Sequence, residues 1–390
     1  MARFIRLVLL LISLYEASAL DGGCGKLFNG KCICGLTTYG DREQYVVNCT
    51  NTGFEDTKVL ENLPEATEVL IFTGNNIPEL PWNVFGALTE LEHLRIVDMS
   101  NNRIKDIPGK AYHHVKNVQR LILNHNDLSI SPDSDEDNHH HPRVFSNFIN
   151  LMELHLTNAF ADNTDAELAN DLHNIFVNSN LTHLRKLHLE QNEILNFGDK
   201  RVFCDLPSLR DLHLGDNYLS EIDFNFLCLK NLRFLDLERN KIEYFKKRDL
   251  LTLDQVNAAG REEQLVIDVG GNPFRCDCIV SEFYSWLFRT NVTVRNKESL
   301  RCHRAQKHGG EALISLSVDK CRKAQSVVHD TSKISTVTFM LIILIVILSG
   351  LVVALGYMSR DKLKLAFTPV IETVSKKVQY TTIRNNEQEV

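Results

Sequence analysis

The sequence predicts an α/β solenoid, a curved stack of short strands capped at both ends and followed by a single membrane-crossing helix. Three observations predict it. LRKLHLEQNEI beginning at 184 recurs as LRDLHLGDNYL at 209 and LRFLDLERNKI at 232, steps of 25 and then 23 residues; such a period marks units that bury their apolar faces only against their neighbours. Ten cysteines fall as a set of four before the repeats, a pair within them and a set of four after them. Between Lys333 and Arg360 no residue is charged.

The chain of 390 residues, 44% of them apolar, is long enough to bury one continuous core. Residues 1–19 carry Arg3 and Arg6, the apolar run LVLLLISLY and then Ala17-Ser18-Ala19, which reads as a cleavable secretory leader too short to span a bilayer. Residues 20–62 form an amino-terminal cysteine-rich cap, 63–271 about eight repeats with an insertion at 129–180, and 272–323 a carboxy-terminal cap. A stalk at 324–333 leads into the span at 334–358, long enough for about 30 Å of hydrocarbon. Basic residues flank both ends of it, so the leader sets the orientation: a single-pass type I protein at the plasma membrane, amino-terminal part outside and tail 359–390 inside.

The formal charge is −7; setting aside +1 for the leader and +2 for the tail leaves the extracellular part near −10. A nucleic-acid partner calls for the opposite sign on one clustered face and is set aside. Cysteines confined to the extracellular part fit an oxidising compartment. Asn48, Asn180 and Asn291 each open an acceptor triplet for glycosylation.

The repeats follow the template LxxLxLxxNxL, in which alternate apolar residues of a short strand point inward and an asparagine turns the chain. The asparagines are Asn75, Asn102, Asn126, Asn192, Asn217, Asn240 and Asn272. Their amides suit the place because they both donate to and accept from backbone groups that the turn leaves unpaired. One repeat, LMELHLTNAFA, carries Ala159 instead, and the steps to the asparagines on either side, from 126 and to 192, are 33 residues each. The polar loop SPDSDEDNHHHPR precedes it, and its His139, His140 and His141 read as solvated. After it, Thr164 and Glu167 form a capping box, and Leu168, Leu172 and Ile175 share one face of an inserted amphipathic helix that packs on the array.

Stacked units expose their core at both ends and need caps. Cys24, Cys32, Cys34 and Cys49 precede the first repeat; Cys276, Cys278, Cys302 and Cys321 follow the last. Each set holds a CxC whose members do not readily pair with each other, and the compartment favours disulfides over zinc. Cys204 and Cys228 stand 24 residues apart in adjacent repeats, where equivalent positions lie about 5 Å apart. They are either bonded or two buried thiols.

LxxLxLxxNxL between such caps, closed by NPFRCDCIVSEFYSWL…LRC…C, resembles the extracellular leucine-rich repeat family. The resemblance implies a leucine-rich repeat horseshoe with the pairs Cys24–Cys34, Cys32–Cys49, Cys276–Cys302 and Cys278–Cys321. The order of irregularities (polar insertion, repeat without its asparagine, helix, regular repeats, one span, short tail) is similar to that of a cell-surface branch of the family. That likeness implies a glycoprotein that binds protein partners and dampens Wnt/β-catenin signalling, with Wnt-pathway receptors among its partners. An auxiliary subunit of an ion channel and a cell-adhesion receptor are the alternative classes.

No constellation of an enzyme is visible: no GxSxG, no glycine-rich phosphate loop after a strand, and no cofactor is called for. Binding is expected on the concave strand face, whose outward positions are Ile71, Asp98, Ile122, His155, His188, His213, Asp236 and Asp268. Apolar Ile71, Ile122 and Phe234, with Val69 and Ile96, are contact candidates, concentrated in the first three repeats. The three histidines form a column that reads as ordinary solvated polar residues or as a patch sensitive to pH or metal. In the tail, Tyr380 and Ile383 match the short pattern read by sorting adaptors in the cytoplasm, and Arg360, Lys362 and Lys364 mark the anionic inner leaflet.

Overall fold

The computed structural model describes residues 24, 26–28, 30–86, 91–130, 144–162, 165–257, 261, 263–304, 308–316 and 336–359. The leader, the loop holding His139 to His141, Thr164, Cys321, the stalk and the tail from Arg360 on, with Tyr380 and Ile383, lie outside the described residues. The chain divides into two units, Met1–Ser317 and Val318–Val390.

In the first unit eleven strands make one open sheet whose spatial order is the order of the sequence. β1 (Ile33–Tyr39) and β2 (Arg42–Asn48) form an antiparallel hairpin. From β2 onward every pairing is parallel. The strands are β3 (Val69–Ile71), β4 (Ile96–Asp98), β5 (Arg120–Ile122), β6 (Glu153–His155) and β7 (Lys186–His188). Then come β8 (Asp211–His213), β9 (Phe234–Asp236), β10 (Val266–Asp268) and β11 (Thr293–Val294).

Because side chains alternate faces along a strand, the middle residue of each three-residue strand points into the core. Leu70, Val97, Leu121, Leu154, Leu187, Leu212, Leu235 and Ile267 are in register and fully buried. Two residues on, Phe72, Met99, Leu123, Leu156, Leu189, Leu214, Leu237 and Val269 form a second buried row. Aromatic rings fill the layer behind, as where Phe203 meets Phe197 at 5.1 Å and Phe224 at 5.3 Å.

The asparagines form a ladder. Asn126 accepts the backbone N–H groups of Asn102 and Ile104 and donates to the carbonyls of Met99 and Leu123; Asn217 does the same for Asn192, Ile194, Leu189 and Leu214. The turn that brings each asparagine inward puts the residue before it at positive φ: Asn101, His125, Gln191, Asp216 and Arg239 take this conformation, and Gly74 and Gly271 adopt it without a Cβ to strain it.

The inserted helix α1 (Asp165–Phe176) buries Leu168, Leu172 and Ile175. It is tied down by Asp171, fully buried, whose carboxylate accepts the backbone N–H of Ile130 at 3.1 Å. A second helix, α2 (Lys247–Val256), buries Leu250, Leu253 and Val256. It packs against α3 (Ser281–Leu287), and Phe245, Phe274, Phe283 and Trp286 close the carboxy-terminal end of the core. Disulfides join Cys24 to Cys34, Cys32 to Cys49, Cys204 to Cys228 and Cys276 to Cys302. Cys278 is also disulfide-bonded.

In the second unit α4 (Thr336–Met358) is 23 residues long, or about 34 Å at the helical rise. Its apolar side chains from Met340 to Met358 are exposed, as suits contact with hydrocarbon.

Candidate partner-binding face

The outer residues of each strand build two rows on the concave face. The first runs Val46, Val69, Ile96, Arg120, Glu153, Lys186, Asp211, Phe234 and Val266; the second runs Asn48, Ile71, Asp98, Ile122, His155, His188, His213, Asp236 and Asp268. Each position meets its counterpart on the next strand, so cross-strand pairs decide the character of the face.

At the amino-terminal end the sequence expectation needs correcting. Val69 and Ile96, contact candidates from the sequence, are 0% and 8% exposed and pack with Val46 in a small cluster covered by Tyr39 and Ile71. Tyr39 ends β1, and the hairpin carries it over the first row. Alternation tells which face a side chain takes but not what lies over it. Ile71, Asp98 and Ile122 stay partly exposed in the second row.

The first row then becomes charged. The Arg120 guanidinium donates to Glu153 at 2.6 Å, with Lys186 3.8 Å from the same carboxylate. Arg233 grips Asp211 through two hydrogen bonds of 2.7 and 3.0 Å. Phe234 follows, with the Arg295 guanidinium 4.8 Å above its ring, a favourable cation–π geometry.

In the second row the three histidines stack. Ring centroids lie 4.3 Å apart for His155 and His188 and 4.1 Å for His188 and His213, with planes within 12° and 10° of parallel. Carboxylates flank the column. Glu153 lies 3.5 Å from His155 Nε2, Glu190 lies 2.8 Å from His188 Nδ1 and 3.7 Å from His213 Nδ1, and Asp236 lies 3.8 Å from His213 Nδ1. Burial pushes the His155 imidazole below its usual value, against the pull of Glu153. The hydrogen bond from His155, then that from Arg120, holds Glu153 well below the usual carboxylate range. Burial raises Glu190, but bonds from His188 and Thr157 outweigh it and leave the group lowered.

Sequence reasoning found the histidines and Asp236 but missed Glu153 and Glu190. The signal was present in ELH at 153–155 and HLE at 188–190, because residues two apart on a strand share a face. Tyr39 gave no such signal. Of the acceptor asparagines, Asn180 and Asn291 are exposed, while Asn48 stands beside Ile71 in the second row and accepts from Thr50.

The leucine rich repeat family model matches residues 65–128 and 182–242, on either side of the interruption. Trophoblast glycoprotein of Macaca fascicularis is 27% identical over 274 residues, 70% of this chain and 63% of that protein. Toll-like receptor 5 of Homo sapiens is 28% identical over 261 residues, 66% of this chain and 27% of that protein. The chain therefore spans less than two thirds of the length of these relatives. Among solved structures, human 5T4 (Wnt-activated inhibitory factor 1, trophoblast glycoprotein) superposes with a TM-score of 0.58 at 26% identity, covering 70% of this chain and 92% of that one.

Proposed function

The chain is a leucine-rich repeat protein related to trophoblast glycoprotein, and from that premise we propose that it is a plasma-membrane glycoprotein that binds protein partners and dampens Wnt/β-catenin signalling. It crosses the membrane once in type I orientation through α4, with glycans on Asn48, Asn180 and Asn291 and the repeats outside. Partners are held by the concave face, and the tail, through Tyr380 and Ile383, couples the captured complex to a sorting adaptor.

The observation that carries this reading is the second row. Ile71 and Ile122 offer apolar surface, the largely buried but accessible imidazoles of His155, His188 and His213 continue it, and charged residues of the first row run alongside. A surface part apolar and part charged is the composition of a protein-binding site. The name of the solved relative, Wnt-activated inhibitory factor 1, directs the choice of pathway.

The test is a β-catenin transcriptional reporter in cells expressing the full chain or the double variant Ile71→Glu and Ile122→Glu. The full chain lowers the response to Wnt, and the variant, present at the cell surface in equal amount, loses most of that effect. An unchanged reporter with the full chain, or equal inhibition by both proteins, overturns the reading. Replacing α4 by an unrelated span separates the classes: ligand capture survives it, whereas a channel-modulating subunit loses its action. Clustering of transfected cells identifies an adhesion receptor.

A further inference from the structure

We propose that His188, Glu190 and His213 bind a transition-metal dication, with zinc the natural occupant, on the open face of the sheet. The inference goes beyond the signalling role and does not depend on it. Of the two alternatives the sequence leaves open for this column, it takes the metal-binding one.

Three donor atoms lie close together. One ring nitrogen each of His188 and His213 and a carboxylate oxygen of Glu190 lie within 4.8 Å of one another, and Nδ1 of both histidines faces the same Glu190 oxygen. A tetrahedral zinc with bonds near 2 Å requires its ligand atoms to be about 3.3 Å apart; the two imidazole-to-carboxylate separations here, 2.8 and 3.7 Å, bracket that value. Two imidazoles and one carboxylate suit a borderline dication and disfavour calcium or magnesium, which take oxygen ligands.

The backbone supplies the preorganisation. His188 and His213 occupy equivalent positions on paired strands β7 and β8, so their Cα spacing is fixed by the sheet. Glu190 is two residues beyond His188 on the same face, and its other oxygen accepts the Thr157 hydroxyl at 2.8 Å. This second bond orients the carboxylate as outer-shell partners orient metal ligands. The three side chains are only 18–19% exposed, and the open side leaves room for water or for a side chain of a bound partner.

Binding has a structural cost that can be observed. The two rings are nearly parallel, so their in-plane lone pairs run alongside each other rather than converging. To meet one ion they must turn about χ2, and the His188 to His213 stack opens. Nδ1 of His188 must also give up any proton it shares with Glu190, so metal uptake releases protons and weakens on acidification.

Titration calorimetry of the full chain in nanodiscs, stripped of metal by a chelator and then given zinc chloride, tests the site. A variant with His139, His140 and His141 all changed to Asn provides the background, so that those loop histidines contribute nothing. In that background one zinc per chain binds, and His188→Asn or His213→Asn weakens it by more than the about 10–100-fold cost of an outer-shell change. Glu190→Gln also weakens it. Zinc-edge X-ray absorption on the background protein, which needs no further variant to fold, shows two imidazoles and oxygen in the first shell. No zinc uptake, uptake unchanged in a folded His188→Asn protein, or a first shell with fewer than two imidazoles overturns the proposal.

Discussion

The backbone N–H of Ala159 donates to Oδ1 of Asn192 at 2.8 Å, so the asparagine ladder continues through the repeat that lacks an asparagine. Asn192 also donates to the carbonyl of Leu156. One of the bonds the alanine side chain cannot make is taken by the backbone: the N–H of Leu128 donates to the Ala159 carbonyl at 2.8 Å. Asn192 therefore carries the join between the interrupted and the regular repeats. Replacing it by Ala strands a buried donor and a buried acceptor, each costing about 1–3 kcal/mol. Urea unfolding of Asn192→Ala is expected to lose about 2–4 kcal/mol, and of Glu61→Ala, on the surface, almost nothing.

The disulfide between Cys204 and Cys228 closes a loop of 24 residues between adjacent repeats. In the chain-entropy account a loop of that size restrains the unfolded chain by about 3 kcal/mol. The double change Cys204→Ser and Cys228→Ser should lower the thermal midpoint accordingly, with the far-ultraviolet circular dichroism of the folded protein unchanged. Equal midpoints would show that packing alone holds the two repeats.

Tyr39 covers Val46, Val69 and Ile96. Tyr39→Ala uncovers this cluster, and burial of a large side chain is worth about 1.5–3 kcal/mol. The variant should unfold earlier by roughly that amount and bind more of an apolar dye while still folded. An unchanged dye signal would mean that another group covers the cluster.

These examples also mark what was legible. Leu187, Leu212 and Leu235 could be placed in the core from spacing alone, because a stacked repeat forces the same environment on equivalent residues. The ladder was legible for the same reason, down to the vacancy at Ala159. Helix α2 was missed although Leu250, Leu253 and Val256 keep a helical spacing and the step from Asn240 to Asn272 is long. The burial of Val69 and Ile96 was not legible, since Tyr39 reaches them from a hairpin outside the repeat period. Stacking of the histidines followed from register, whereas their pairing with Glu153 and Glu190 required attention to residues two apart.

Burial raises the Asp223 carboxyl above its ordinary value of 3.8, against the pull of the Phe197 N–H and of Lys200. One carboxylate oxygen accepts from Phe197 at 3.2 Å and the other has no partner. A carboxyl with a raised folded pKa contributes its stability fully below the unfolded value and loses it as pH rises through the folded one. The charge is therefore a burden at neutral pH. Asp223→Asn, which keeps an acceptor for Phe197, should raise the unfolding midpoint at neutral pH, with the gap closing as the solution is acidified toward 3.8. A gap that stays constant with pH would remove the electrostatic explanation.

Asp254 of α2 holds the carboxy-terminal cap in place. Its Oδ2 accepts the indole N–H of Trp286 at 2.9 Å and its Oδ1 accepts the Thr290 hydroxyl at 2.5 Å. Trp286 is 5% exposed, whereas Trp82, the second of the two tryptophans, is 51% exposed. In a Trp82→Phe background the fluorescence thus reports the cap alone. Asp254→Ala leaves the indole N–H without its acceptor and frees Thr290, a loss of about 2–3 kcal/mol for bonds to a charged group. Because the contact joins α2 to α3, the loss falls on the seal between cap and last repeat rather than on the array as a whole. The emission should shift to the red at denaturant concentrations where circular dichroism still reports folded repeats. A single transition shared by both signals would instead make cap and array one cooperative unit, with Asp254 only one contributor to its total stability.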